Sequence, residues 1–388
     1  MPNYPDLTAA IARIPFEDHH VHQPNKGRHA LTPGEFRRPF TEASLSAVWE
    51  RQIQTTIAYR WLIRELATLL GVAPDEAAVL AARNGASENE YHRLLADHAN
   101  LGASYADDLF DLGQCFDVQE WSALLGRPVY RLLRIETFVE LGYPTCPTLT
   151  AALARLTAEI AAAPERGIVG LKSIAAYRSG LAIAAPSTAQ RRRAAVAYTQ
   201  LRDRALRGGS GRLADKDLVD TLVWTAVEAA VPQRLPLQFH VALGDDDIVL
   251  AQNDPSLLRA LLAHRPFHDV PIVLLHCYPY HRHAAYLASV YAHVYVDLGL
   301  AIPLVGPGAD RVLAETLELT PTNQLLASTD GHMTPEFQWF GVLVWRWALA
   351  RVLGDYREAR IVGEDEAIAI ATDILRENAL RLYPLPGR

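Results

Sequence analysis

A (β/α)8 TIM barrel, distorted and carrying helical insertions, is the fold that this sequence predicts. Two observations lead to it. From about residue 130, short runs rich in leucine or β-branched residues alternate with longer helical stretches. Six polar side chains capable of metal or acid–base chemistry each close one such apolar run: His20, His22, Lys172, His240, His276 and Asp330. The alternation is the βα repeat of a parallel sheet. Polar groups gathered at C-terminal strand ends fall on the face where barrels build their sites.

The strands are expected in order at 14–20, 103–107, 130–136, 167–173, 235–240, 270–276, 293–297 and 324–329. Their apolar faces are nearly continuous, as strands covered on both sides require. Two connections exceed an ordinary βα loop, about 23–129 and 174–234. Both carry helical patterns such as SLSAVWERQIQTTIAYRWLIRELATLL and VDTLVWTAVEAAV. Long structureless loops are uncommon, so both read as helical insertions that could roof a site. The GGSG at 208–211 breaks the second insertion and is no phosphate loop, because no GK[ST] follows it. The stretch 364–382 opens acidic, which suits a helix N-terminus, and is expected as the last outer helix. The whole of 1–388 is read as one barrel domain.

Half of the residues are hydrophobic and 21% are charged, an ordinary balance for an enzyme with a large core. The formal net charge of -7 is spread along the chain, which argues against a nucleic-acid partner. No apolar run reaches the roughly 20 residues of a membrane span. The N-terminus lacks the pattern of a secretion signal, so a cytoplasmic location is expected. The three cysteines form no CxxC pair and read as reduced core thiols.

The candidate site follows from strand geometry. His20 and His22, two apart on a strand, point to one face, into the barrel. His240 and His276 each end an apolar strand and precede a loop containing Gly or Pro. Asp330 closes a strand in STDGH, where a carboxylate is rarely found unless paired or ligating. It is the first choice for general base. Lys172 has two open roles: its amine could take up carbon dioxide and bridge two ions, or it could hold an anionic substrate group. Tyr177 and Arg178 lie just past the fourth strand, and Arg178 could grip a carboxylate bidentately. Arg134 and Glu136 alternate onto one face of the third strand. His281 and His283 form a second HxH, but at a helix start, where residues two apart diverge.

The stretches EDHHVH, RIE (134–136), GLKSIAAYRSGL (171–182), QFHVALGDDD (238–247), LLHCYPY (274–280), STDGHMTPEFQWFG (328–341) and ENALRLY together resemble the amidohydrolase superfamily. The nearer likeness is to the amidohydrolase-2 type, including the domain that precedes a glutamine-synthetase domain in some plant and fungal proteins. The resemblance implies that His20, His22, His240 and Asp330 hold a divalent ion, and that His276 ligates a second ion or polarises the scissile group. It leaves one or two ions open, depending on whether Lys172 is carboxylated. Zinc is the first expectation for such nitrogen and oxygen ligands.

The implied activity is metal-dependent hydrolysis of an amide or related C–N bond in a small anionic metabolite. A decarboxylase or sugar-acid isomerase could use the same site. A non-catalytic binding protein on a degenerate barrel would be expected to lack part of the ligand set. The partner is a small-molecule substrate, and a homodimer is the default expectation for assembly.

Overall fold

The computed structural model describes residues 4–27, 29–109 and 113–386. Eight parallel strands form a nearly closed barrel in sequential order: β1 Phe16–Val21, β2 Leu101–Asp107, β3 Val129–Arg134, β4 Ile168–Ser173, β5 Leu237–His240, β6 Ile272–Leu275, β7 Val294–Asp297 and β8 Leu325–Leu326. β8 is shorter than the sequence suggests. Beyond it the backbone still pairs with β1 at the barrel mouth, through Asp330 N to His20 O at 3.1 Å and His22 N to Gly331 O at 2.7 Å. These two bonds set the histidine pair and Asp330 side by side.

The barrel interior holds a buried cluster drawn from several strands, including Tyr105, Leu132, Val169, Val273, Leu275 and Leu326. Its floor is closed from outside the sheet. The C-terminal stretch folds as Glu364–Thr372, a π turn and Asn378–Leu382. It then delivers Tyr383 into the interior, where its hydroxyl lies 3.1 Å from His19 Nδ1 and accepts from Gln238 Nε2 at 2.7 Å. The segment 364–382 is helical as expected, and Tyr383 just beyond it acts as a plug, its buried hydroxyl meeting polar partners inside the barrel.

The stretch 23–129 is interrupted by β2, so the roofing helices lie between β1 and β2. The largest, Ile57–Leu70, shows how the sequence bounds them. Thr56 accepts a hydrogen bond from Tyr59 N at the start, and Gly71, at φ 67°, ends the helix in a left-handed conformation. A buried Arg83–Glu336 pair at 2.6 Å fastens this roof to the long helix Pro335–Glu358 that follows β8. Between β4 and β5 stand the helices Thr188–Leu206 and Lys216–Ala230, with GGSG in the break between them. No helix among the described residues is long and apolar enough to cross a membrane.

Candidate metal centre

Each of the six strand-end groups is buried at the barrel mouth. Asp330 Oδ1 lies 3.0 Å from His20 Nε2 and 3.4 Å from His22 Nε2, and Asp330 Oδ2 lies 3.8 Å from His276 Nε2. Among the described residues, donor atoms of His20, His276 and Asp330 all lie within 4.8 Å of one another, which makes them a candidate metal site. Lys172 Nζ is 3.1 Å from His20 Nε2. The backbone is strained at this rim: His276 has φ 71° and Asp330 φ 57°, a conformation that L side chains rarely adopt. Such strain costs energy and persists where the surroundings over-determine it, as at functional sites.

His240 sits beside this group without joining it at that distance. Its ring is 4.6 Å from that of His276 and 4.4 Å from that of Tyr177. Its Nε2 faces Leu243 O at 2.8 Å. A carbonyl can only accept, so the proton is on Nε2 and Nδ1 keeps its lone pair. His276 is the reverse: Nδ1 accepts from Leu300 N at 3.2 Å, so its neutral ring carries the proton on Nε2. His276 is thus the nearer of the two to Asp330 but has no nitrogen lone pair left, whereas hydrogen bonding leaves one on His240.

Burial, reinforced by Lys172, pushes His20 down to about 4. Burial also depresses His240 and His276 well below the usual imidazole range. These histidines are therefore neutral at neutral pH. Burial works to raise Asp330, but the facing His276 and hydrogen bonds from His20 and His22 outweigh it and hold the carboxyl well below its ordinary range. Lys172 is lowered by burial to about 8, against the opposing pull of Asp107 and Asp330.

A cavity of about 700 Å³ opens onto the group. Lys172, Tyr177, Arg178 and Arg134 line it, together with Arg38 and Glu42 from the β1–β2 roof and Glu140, Arg212, Asp245 and His332. Glu136 does not. β3 ends at Arg134, and Ile135–Leu141 is helical, so Arg134 and Glu136 share no strand face. Arg134 pairs with Asp107 at 2.6 Å. Glu136 is wholly buried and accepts from Ser173 Oγ at 2.6 Å and from Ile174 N at 3.1 Å, which fixes the β4 exit and keeps it from substrate. Arg178 faces Glu140 at 3.3 Å. His281 and His283 pair with Glu315 and Asp254, away from the cavity. Thr334 is the residue before the long helix, but its side chain makes no capping bond.

Sequence reasoning missed three contributors. Asp297, at the end of β7, accepts from His276 N at 3.2 Å, Gly299 N at 3.0 Å and Ser328 Oγ at 3.0 Å. Its position as a carboxylate closing HVYVD was the available signal. Arg38 and Glu42 carried no signal, because nothing local shows that the roof folds back over the mouth.

Eight parallel strands that bring His20, His22 and His276 to one buried carboxylate, Asp330, define a barrel with a candidate metal site at its mouth. The chain belongs to the amidohydrolase family, whose sequence profile matches residues 129–385. A curated relative, protein fluG of Emericella nidulans, is 39% identical over 226 residues, which cover 56% of this chain and 26% of that protein. The chain therefore spans only about a quarter of the fluG protein. A Lactobacillus casei structure provisionally assigned as a metal-dependent hydrolase is 28% identical, with TM-score 0.86 and 97% of both chains covered. A uronate isomerase from Bacillus halodurans shares the fold at TM-score 0.67 and 14% identity, covering 97% of this chain and 94% of that one.

Proposed function

We propose that this chain is a metal-dependent hydrolase that cleaves an amide or related C–N bond of a small anionic metabolite. The convergence of His20, His22 and His276 on the Asp330 carboxylate, with His22 and Asp330 facing the cavity, carries this reading. The donor set fits a divalent cation: imidazole nitrogens and a buried carboxylate gathered at one point are the ligands such an ion takes. His20, His22 and Asp330 would hold the ion, with the His240 Nδ1 lone pair completing the set, and zinc suits these donors. A bound ion there supplies Lewis acidity and lowers the pKa of an adjacent water.

The chain's own groups would do the remainder. Asp330 would accept the proton released by the attacking water and return it to the leaving nitrogen. His276, carrying its proton on Nε2, would donate a hydrogen bond to the carbonyl oxygen as negative charge grows there. Lys172, uncarboxylated and protonated beside His20, would add positive charge on the same side. The roof helices and Tyr177 would limit water around the reacting bond.

The test is a screen of the zinc-loaded protein against N-acyl and amide derivatives of small carboxylic acids, reading release of the amine. Turnover that vanishes in Asp330→Asn supports the proposal. Release of carbon dioxide or aldose–ketose conversion as the one detectable reaction would replace it.

A further inference from the structure

The cavity is lined by five cationic side chains other than histidine, and four of them are already engaged. Arg134 is paired with Asp107, Arg178 with Glu140 and Arg212 with Asp247, while Lys172 faces His20. Arg38 differs. One of its nitrogens donates to Thr41 O at 2.9 Å, and its guanidinium lies 4.7 Å from the centre of the Trp49 ring. Among the described residues it closes no ion pair, and Glu42 and Asp246 feel its charge only from farther away. Stacking and the carbonyl bond fix the plane of the guanidinium while leaving most of its donors unused, which is how an arginine is prepared for a planar anion.

We infer that Arg38, supplied by the β1–β2 roof, is the residue that receives the carboxylate of the substrate, and that it selects for a single planar negative charge. This rests on the hydrolase reading for the rest of the molecule to be hydrolysed. Arg178, the residue sequence position favours for this task, has its charge met by Glu140. A single charge is indicated because Asp245 lines the same cavity, and a phosphate dianion entering it would meet that acid; Glu42, also in the lining, is pushed up by burial. Arg38 lies outside residues 129–385, the part matched to the family, in the roof between β1 and β2.

The test uses isothermal titration of the zinc-loaded protein with N-acetylglycine, which carries one carboxylate beside an amide, and with its neutral isostere N-acetylglycinamide. The wild type is expected to prefer the acid. Arg38→Met should weaken acid binding by about tenfold or more, the scale of a lost charged hydrogen bond, and leave the amide unchanged. Arg38→Lys, which keeps the charge but not the fork, should fall between and shows that the effect is not misfolding. A wild type with no preference for the acid, or an Arg38→Met variant that binds it undiminished, overturns the inference. Loss of acid binding in Arg38→Met with no amide hydrolysed by the wild type would sink the hydrolase reading alone.

Discussion

Asp297 holds the backbone of His276: its Oδ2 accepts the His276 N–H at 3.2 Å where that residue adopts φ 71°. The same oxygen accepts from Gly299 N at 3.0 Å, and Oδ1 accepts from Ser328 Oγ at 3.0 Å. One fully buried carboxylate therefore ties the ends of β6, β7 and β8 together beneath the candidate metal centre. Asp297→Ala would leave buried N–H groups unpaired and is expected to cost about 3 kcal/mol. Asp297→Asn, which can still accept at one oxygen, should cost less. Chemical denaturation of both variants checks the order, and an Asp297→Ala protein as stable as wild type would show that the contact is dispensable.

His240 and His276 should separate metal binding from turnover. His240 keeps an Nδ1 lone pair because Nε2 faces Leu243 O, whereas His276 presents Nε2–H because Nδ1 accepts from Leu300 N. His240→Ala is expected to lower metal content after dialysis. His276→Ala is expected to retain the ion and lose on the order of 10²-fold or more in kcat, the scale of a removed oxyanion donor. Elemental analysis beside kinetics decides it, and the opposite pattern would make His276 the ligand.

One ion per chain is the expected stoichiometry. Among the described residues the close group is His20, His276 and Asp330, and Lys172 Nζ points at His20 Nε2 instead of at a second cluster. Metal content measured with and without bicarbonate should stay near one. Two ions that appear only with bicarbonate would mean that Lys172 is carboxylated.

Gly244 is needed next to His240. A Cβ there would lie 2.7 Å from His240 Nε2 and 2.1 Å from the Tyr177 hydroxyl oxygen. Both rings would have to move, so Gly244→Ala should preserve folding yet reduce kcat/KM by about 10²-fold, the effect of a misplacement near 1 Å. Unchanged kinetics would show that the loop relaxes freely.

Acid should destabilise the fold through His92. This residue is buried against the long helix after β8, and burial lowers it from 6.5 to about 4. The folded state favours the neutral ring, so its contribution is fully present above 6.5 and is lost as pH falls from there toward about 4. At most about 3 kcal/mol is involved. The stability of wild type relative to His92→Leu should fall as pH drops through this window, and parallel curves would contradict the assignment.

The sequence by itself determined the strand frame and the groups at its ends. Apolar runs of strand length that each stop at a His, Lys or Asp are readable because strand side chains alternate and barrel sites lie at carboxyl ends. Even β2, the least marked run, lies within Leu101–Asp107. What only tertiary structure decided is which of those groups face each other, and through which atoms. The tautomers of His240 and His276 depend on Leu243 and Leu300. Glu136 left the pocket because β3 turns into a helix at Ile135. Arg38 and Glu42 entered it because the roof packs over the mouth. Periodicity records which side of its own strand a residue faces, whereas partners in a cavity are fixed by long-range packing between segments hundreds of residues apart.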